Sequence, residues 1–171
     1  MNTTVLPDTD TDSIRILKTA SCPSLSGKSR LTYNIGCNAE GEIHFQVIAN
    51  DGGGFWNDDW VAQQSIQEVL DKQALGNHIT SASLRTLYTG KSTNSPGFLL
   101  AVLKAIGLVQ VSQANPRCYE LGSPNAFMAE VTALLASAPE LVIAESVDAP
   151  VSKPLSIKGK SIKPKKSPSE Y

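Results

Sequence analysis

The sequence has few of the residues that build metal sites, disulfide frameworks or membrane spans. Its 171 residues include three cysteines and two histidines. Cys22, Cys37 and Cys118 are odd in number and form no C-x-x-C pair, which predicts free thiols in a reducing compartment. No run approaches the ~20 apolar residues that span a bilayer, and residues 1–12 are acidic and polar rather than signal-like. We therefore expect a cytoplasmic protein with no membrane association.

Metal binding and catalysis also find little support. The spacings of Cys22, Cys37, His44 and Cys118 match none of the usual paired-ligand arrangements of zinc. We expect buried or half-exposed thiols, with His44 facing solvent on the polar face of its strand. No local motif sets a base beside a nucleophile, so we expect no cofactor, no metal and no enzyme activity.

The charge is unevenly distributed along the chain. The formal net charge is −1, but residues 1–150 carry −6 and residues 151–171 carry +5. The cationic tail mixes lysine with proline, serine and glycine, and such a composition cannot bury enough surface to offset the entropy of ordering. We predict disordered residues 1–12 and 149–171 around a single domain, 13–148. The tail lysines either contact an anionic partner or only solubilise the terminus.

Hydrophobic periodicity predicts a β-hairpin early in the chain. Two runs of alternating apolar and polar residues flank the turn-forming segment CNAEGE. Their apolar members are Leu31, Tyr33, Ile35, Ile43, Phe45 and Val47. This period of two around a glycine-containing turn is typical of antiparallel strands. The preceding segment SIRILKTA is a candidate third strand.

Helical patterns follow the hairpin. Asn57 is the predicted N-cap of a first helix that runs to about Gln73, with Trp56 and Val61 at hydrophobic-staple positions. A short second helix fits residues 81–88.

A third, longer helix has clear start and stop signals. Ser95 is its predicted cap, Pro96 its first residue, and Gly107 ends it. The later predicted elements are a second hairpin over LVQVS and CYEL, a fourth helix from Ser123-Pro124 to before Pro139, and a last strand over ELVIAE.

The triplet Gly27-Lys28-Ser29 matches the end of a phosphate-binding loop. Such a loop needs a glycine five residues before Gly27, where this chain has Cys22, followed by Pro23, which has no N–H to donate. The run after the triplet alternates like a strand, whereas a phosphate loop opens a helix. The triplet is better interpreted as a polar turn that enters a strand.

The segment NDGGGFWNDDW, residues 50–60, allows two interpretations. Its glycines permit close backbone approach, so Trp56 or Trp60 could stack on a ligand. Alternatively, it is a tight strand-to-helix connection with Trp56 as a staple residue, which is the commoner role of glycine clusters. We favour the connection.

The element order from Asp58 to Leu121 resembles a winged helix-turn-helix domain, at the level of architecture and of no specific family. In that group the third helix commonly enters the major groove of DNA, and the wing touches the backbone or minor groove. The resemblance implies nucleic-acid contacts from the loop ahead of the third helix, from that helix and from the wing. The residues at those places are Lys91, Ser92, Thr93, Asn94, Ser95, Lys104, Asn115 and Arg117. In the tail, the added candidates are Lys158, Lys160, Lys163, Lys165 and Lys166.

The third helix itself is poorly suited to sequence-specific contacts with bases. Its sequence, PGFLLAVLKAIG, has one charged side chain and no Asn, Gln or Arg to address base edges. A helix that is apolar on nearly all sides is normally buried. We expect it to be covered by the N-terminal hairpin or by another subunit, which leaves contacts to its N-terminal loop, the wing and the tail.

Together these patterns predict an α+β protein. An N-terminal antiparallel hairpin or small sheet (13–56) packs on a winged-helix-like helical core (57–145). The predicted function is non-catalytic nucleic-acid binding or regulation, such as transcription regulation, with DNA favoured over RNA. The alternative is a protein-interaction or dimerisation adaptor that uses the apolar third helix or residues 50–60, called here the Gly/Trp segment. A phosphate-loop-like nucleotide binder is the least favoured hypothesis.

Overall fold

The computed structural model describes residues 13–75, 78–88 and 92–137. Within these ranges the chain has the predicted α+β fold, with an antiparallel sheet followed by helices and a short hairpin. No helix in them is both long enough and apolar enough to cross a bilayer. The predicted strand over 140–145 and the two predicted disordered ends lie outside the described residues.

A four-stranded antiparallel sheet forms the N-terminal half. Its strands are β1 (Arg15–Pro23), β2 (Arg30–Cys37), β3 (Ile43–Asn50) and β4 (Val61–Ala62), paired in that order. The β2–β3 register sets Ile35 opposite Phe45 and Cys37 opposite Ile43, and all four are buried. Side chains alternate between the faces of a sheet, so this apolar set forms one face of the core. The predicted hairpin and the candidate third strand are both confirmed.

The opposite face of the sheet carries a chain of amide hydrogen bonds. Asn34 is 4% exposed; its Oδ1 accepts from the Thr19 hydroxyl at 2.8 Å, and its Nδ2 donates to Gln46 Oε1 at 3.2 Å. The Gln46 amide then donates to the backbone carbonyl of Asp58 at 2.8 Å. These bonds satisfy a buried polar side chain and attach the segment that follows β3 to the sheet.

The first helix begins later than predicted. The helix α1 spans Gln63–Ala74, and Asn57 does not cap it. The Asn57 Oδ1 accepts a 2.9 Å bond from Asp59 N, which makes a local Asx turn. Val61 pairs with Phe45 as part of β4, so it cannot serve as the staple partner of Trp56. The predicted N-cap and staple are both wrong, because pairing with β3 keeps the backbone extended through Ala62.

The remaining elements occur where the sequence places them. They are a 3-10 helix (Ser81–Leu87), α2 (Ser95–Ala105), β5 (Val109–Val111), β6 (Tyr119–Leu121) and α3 (Asn125–Ser137). The predicted second helix has 3-10 rather than α geometry. Gly107, with φ of 81°, ends the α2 region as predicted, since glycine adopts this left-handed conformation without strain.

The helix α2 lies at the centre of the core. Seven of its eleven residues are buried, and it contacts β1 and β3 as well as the 3-10 helix and β5. Leu100, Val102 and Leu103 have no exposed surface. The expected burial of this helix is confirmed, and the N-terminal sheet supplies part of its cover.

A short backbone pairing links the chain after α1 to the β5–β6 hairpin. Ile79 N donates to Tyr119 O at 3.0 Å, and Tyr119 N donates to Ile79 O at 2.8 Å. Ile79 therefore extends this hairpin by one position beside β6. Along the chain, α1 is therefore followed by the paired residue Ile79, the 3-10 helix, α2 and the β5–β6 hairpin.

Candidate functional site

Three connecting segments meet at one end of the sheet. They are the β1–β2 turn, the start of the connection after β3, and the loop ahead of α2; residues 24–30, 51–57 and 92–95 are called here the loop surface. Asp51 Oδ1 accepts from Arg30 N at 2.6 Å, and Asp51 N donates to Arg30 O at 3.1 Å. A depression of about 230 Å³ is shared by Leu25 of the turn and Thr93 of the loop. Sequence positions far apart therefore form one continuous surface.

Hydrogen bonds fix the backbone of the Gly/Trp segment on the loop ahead of α2. The carbonyl of Phe55 accepts from Ser92 Oγ at 2.8 Å and from Asn94 Nδ2 at 2.9 Å. Two residues on, Asn57 N donates to Ser95 Oγ at 2.7 Å. Ser95 is the predicted cap of α2, but the helix has Asn94 at its N-cap and the Ser95 hydroxyl makes this long-range contact instead. Three predicted nucleic-acid-binding side chains thus hold the protein's own backbone.

Both tryptophans of the segment are half-buried and pack against the sheet or α2. The indole N–H of Trp56 donates to Val47 O at 3.2 Å, and its ring lies 6.5 Å from that of Phe98. Trp60 covers Gly36, where a β-carbon would come within 2.8 Å of the indole. This arrangement supports the interpretation of the segment as a packed connection and leaves neither tryptophan as the outermost aromatic group.

Phe55 is the aromatic residue that projects from this segment. Its side chain is 80% exposed although hydrogen bonds hold its backbone on the loop ahead of α2. It borders a depression of about 390 Å³ together with Ile48, which is 39% exposed. Sequence patterns alone do not favour Phe55 over the neighbouring tryptophans, because the difference lies in which rings the core accommodates.

The triplet Gly27-Lys28-Ser29 lies in the tight turn between two antiparallel strands. Gly27 N donates to Ser24 O at 2.9 Å and Ser29 N to Ser24 Oγ at 3.3 Å, so these N–H groups are used within the turn. The chain then enters β2 rather than a helix. The turn interpretation is supported, and the geometry lacks the outward N–H groups that hold a phosphate in a phosphate-binding loop.

Two cationic side chains are exposed beside this turn. Lys28 and Arg30 line a depression of about 260 Å³ with Asp51, and Arg30 Nε donates to Ser21 Oγ at 3.0 Å. Because Asp51 also bonds the Arg30 backbone, the local balance is two positive groups to one negative group. This part of the loop surface suits an anionic partner.

The predicted contact residues are divided between separate parts of the described structure. Ser92, Thr93, Asn94 and Ser95 gather at the N-terminal end of α2. Lys104 is exposed near the other end of this helix, about 13 Å from Ser95 at 1.5 Å per residue. Asn115 and Arg117 lie in the β5–β6 turn, where Asn115 Oδ1 accepts from Arg117 N at 3.0 Å. The predicted residues outside the described ranges are Lys91, Lys158, Lys160, Lys163, Lys165 and Lys166.

The thiols are buried, in agreement with the sequence. Cys22, Cys37 and Cys118 are all unpaired, and burial raises the pKa of the Cys22 thiol, with Arg30 acting in the opposite direction. His44 is half-buried rather than solvent-facing, with Nδ1 3.2 Å from the Glu42 carbonyl. Across residues 13–75, 78–88 and 92–137, no three His, Cys, Asp or Glu side chains are grouped as metal ligands would be.

Comparisons with known proteins add no relative. No protein-family model matches the chain, and neither a curated protein nor a solved structure does. Function therefore has to be argued from the loop surface and from the other exposed features of the fold. The most distinctive of these is an aromatic ring held out on a fixed backbone, in the same loop assembly as two exposed cations.

Proposed function

We propose that this protein is a non-catalytic nucleic-acid-binding protein, and that the loop surface is its contact surface. The observation that supports this proposal is the exposure of Phe55. Its ring is 80% exposed, while its carbonyl accepts hydrogen bonds from Ser92 and Asn94. An aromatic ring on a fixed backbone is a stacking platform for an unpaired base. Lys28 and Arg30 of the β1–β2 turn, on the same loop surface, supply charges for phosphates, whereas the depression that Phe55 itself borders includes the exposed Asp58.

The burial of α2 favours a single strand over a duplex. A winged-helix protein that reads duplex DNA usually places its third helix in the major groove. Here α2 is largely buried and in contact with the sheet, so its body is not offered to a groove. Unpaired bases need no such helix, because every base has a face that can stack. The winged-helix resemblance keeps DNA ahead of RNA in this proposal.

A second mode of nucleic-acid contact uses the hairpin side of the fold. Lys104, in the last turn of α2, and Arg117, in the β5–β6 turn, are both exposed. In this mode the wing touches the backbone of a duplex and the tail lysines add salt-sensitive affinity. It is the mode by which the protein would act as a DNA-binding regulator.

A protein partner is the alternative function. Phe55 and Ile48 form an exposed apolar pair on the rim of one depression. Aromatic side chains that enter a partner's pocket commonly dominate the energy of protein interfaces. Under this alternative the Gly/Trp segment presents Phe55 as the anchor, and the cations of the turn set only the orientation of docking.

The proposed location is the cytoplasm. Three unpaired thiols in the described residues are compatible with a reducing compartment. Their burial would also keep them from oxidants, since reactivity requires an accessible thiolate.

Fluorescence anisotropy tests the proposal. Labelled single-stranded DNA, single-stranded RNA and duplex DNA are titrated with the full-length protein at two salt concentrations. We expect single-stranded DNA to bind best, and Phe55→Ala to weaken it by about 5- to 150-fold, the equivalent of 1–3 kcal/mol of stacking. Lys28→Glu should weaken binding and lower the magnitude of the salt slope by about 0.7 for each phosphate that the variant no longer neutralises.

Matched variants separate the alternatives. Lys72→Glu changes an exposed lysine near the end of α1 and should leave affinity within about twofold, because it lies outside the loop surface. The double variant Lys104→Glu/Arg117→Glu should affect duplex binding alone. Equal effects of Lys28→Glu and Lys72→Glu would mean that the binding is unspecific. No binding to any nucleic acid at low salt would exclude the proposal and leave the protein partner.

A further inference from the structure

A groove lies between α1, α3 and the β2–β3 turn, on residues that the loop surface does not use. It has a volume of about 490 Å³. This volume falls within the range of about 300–1,000 Å³ that is usual for sites that bind small molecules. The lining is mostly apolar: Ile43 and Val131 are buried, Met128 is 46% exposed and Leu135 is 37% exposed. A concave apolar surface with a few polar groups is the usual form of such a site.

The polar side chains on the walls of this groove keep their oxygen atoms as acceptors. The Gln67 amide donates to Asp71 Oδ1 at 2.8 Å, and the Gln63 amide donates to Met128 Sδ at 3.9 Å. The Thr132 hydroxyl donates to Met128 O at 2.8 Å. All three contacts use a donor, and none uses a lone pair of these side-chain oxygens. The walls of the groove are therefore better supplied with acceptors than with donors.

Glu42 is the charged residue of the lining, and the β2–β3 turn fixes its position. Its Oε2 accepts from Asn38 Nδ2 at 2.9 Å, and its backbone N–H donates to Asn38 Oδ1 at 2.8 Å. An ionised carboxylate can accept several hydrogen bonds, so Glu42 keeps capacity for a ligand. The described residues that line the groove include no Lys, Arg or His. The charge of this site is therefore negative and comes from one held carboxylate.

A primary ammonium group is the polar group that fits these walls. It has one positive charge, three donors and no acceptor, which complements a carboxylate beside amide and hydroxyl oxygens. A carboxylate or phosphate would meet Glu42 with no cation in the lining to offset the repulsion. A wholly apolar molecule would remove water from these oxygens without replacing its hydrogen bonds. The rest of the ligand has to be apolar, because the buried side chains of Ile43 and Val131 line the groove.

We propose that this groove binds a small molecule with an apolar body and one primary ammonium group. The body contacts Ile43, Met128 and Val131, and the ammonium group donates hydrogen bonds to Glu42 and to the side-chain oxygen of Gln63. This proposal is independent of nucleic-acid binding, because the groove and the loop surface share no residue.

Three probes with the same indole ring test the proposal. Tryptamine, tryptophol and indole-3-propionate carry an ammonium, a hydroxyl and a carboxylate group on the same two-carbon chain. Each is titrated into the isotope-labelled full-length protein, and the shifts of the Met128 methyl group and of the glutamine side-chain amides are followed by NMR. We expect tryptamine to bind about two- to fivefold more tightly than tryptophol at low salt, the usual size of an exposed ion pair. Indole-3-propionate should bind most weakly, and added salt should reduce these differences.

Two pairs of matched variants locate the site. Glu42→Gln should remove the advantage of tryptamine over tryptophol, whereas Glu40→Gln, in the same turn but outside the lining, should preserve it. Thr132→Trp places an indole in the groove and should weaken all three probes by about tenfold or more, since packed atoms exclude a ligand. Ala133→Trp adds the same ring at the next exposed position of α3, outside the lining, and should leave the affinities unchanged.

Circular dichroism verifies that each variant is folded, and the Glu42→Gln pair suffices if Thr132→Trp is not. Tryptamine that shifts none of the groove signals, or that binds no better than tryptophol, would overturn the proposal. An advantage that persists in Glu42→Gln, or binding that a folded Thr132→Trp leaves intact, would do the same. Self-association that Thr132→Trp abolishes, without any binding of tryptamine, would assign the groove to a second copy of the chain instead.

Discussion

The hydroxyl of Ser95 accepts a 2.7 Å hydrogen bond from the backbone N–H of Asn57, and Ser95 is 2% exposed. The bond joins the first residue of α2 to the connection after β3, across 38 positions of sequence. With the two bonds to the Phe55 carbonyl, it holds the segment that carries the exposed ring. The loop surface is therefore organised by α2, although α2 itself is buried.

We expect Ser95→Ala to destabilise the protein. The substitution leaves the N–H of the half-buried Asn57 without its partner, and an unsatisfied buried donor costs up to about 1–3 kcal/mol. Urea unfolding measures this loss, and hydrogen exchange at Asn57 should become faster. Ser92→Ala is the control: the Phe55 carbonyl keeps its bond from Asn94, and the Asn94 N–H, which loses its 3.3 Å bond to Ser92 Oγ, belongs to an exposed residue. The effect should stay within about 0.5 kcal/mol. Equal losses in the free energy of unfolding would mean that the Ser95 hydrogen bond stabilises the protein no more than that of Ser92.

The elements set by local periodicity could be predicted. The alternation of Leu31, Tyr33 and Ile35 is a property of consecutive residues, and β2 follows it. The start of α2 near Pro96 and its end near Gly107 likewise depend on the backbone preferences of single residues. In such places local preference and the final fold agree.

The predictions fail where a residue that is distant in sequence determines the local structure. An Asn side chain can accept a hydrogen bond at a helix N-terminus or in an Asx turn, and Asn57 makes the turn because β3 pairs with Val61. The exposure of Phe55 depends on which rings the core holds, which sequence spacing does not contain. Ser92 and Ser95 remain predicted contacts of a nucleic acid, but the bonds that both hydroxyls make with the connection after β3 are indicated by no local pattern.

Two glycines should respond to alanine in opposite directions. A β-carbon at Gly122 would lie 2.2 Å from the carbonyl oxygen of Gly107, a backbone atom that cannot move without disturbing the end of α2. We expect Gly122→Ala to cost about 1–3 kcal/mol or more, as overpacking does. At Gly97, within α2, the nearest atom is Ser81 Cβ at 4.0 Å. Gly97→Ala should therefore stabilise the protein by about 0.4–1 kcal/mol. Thermal and urea unfolding measure both; a neutral Gly122→Ala would contradict the close approach.

Phe127 should be the main attachment of α3. It is 1% exposed and packs against Phe45, whereas Leu134 on the same helix is only half-buried. Truncating a buried phenylalanine costs about 3–5 kcal/mol, so Phe127→Ala should greatly reduce the free energy of unfolding. Leu134→Ala should cost clearly less. Urea unfolding followed by circular dichroism gives both values, and a larger loss for Leu134→Ala would show that α3 is held by its other side.

Alkaline pH should weaken the fold partly through Tyr88. Burial, and secondarily the charge of Asp59, raises the pKa of Tyr88 well above its ordinary value of 10.0, and burial also raises the pKa values of Tyr33 and Tyr119. Above about pH 10 the unfolded chain loses these protons while the native state keeps them, so deprotonation favours unfolding. The stability is fully present below the unfolded pKa and is lost as pH rises toward the folded values.

Urea unfolding at pH 7, 9, 10 and 11 measures this loss. Each mismatched phenol contributes at most about 1.4 kcal/mol per pH unit to the slope, because one proton separates the two states. Tyr88→Phe removes one such group and should flatten the slope above pH 10 without abolishing it, since Tyr33 and Tyr119 remain. Identical slopes for the wild type and Tyr88→Phe would show that the native phenol ionises as readily as the unfolded one. A stability that rises between pH 9 and 11 would contradict the sign of the effect.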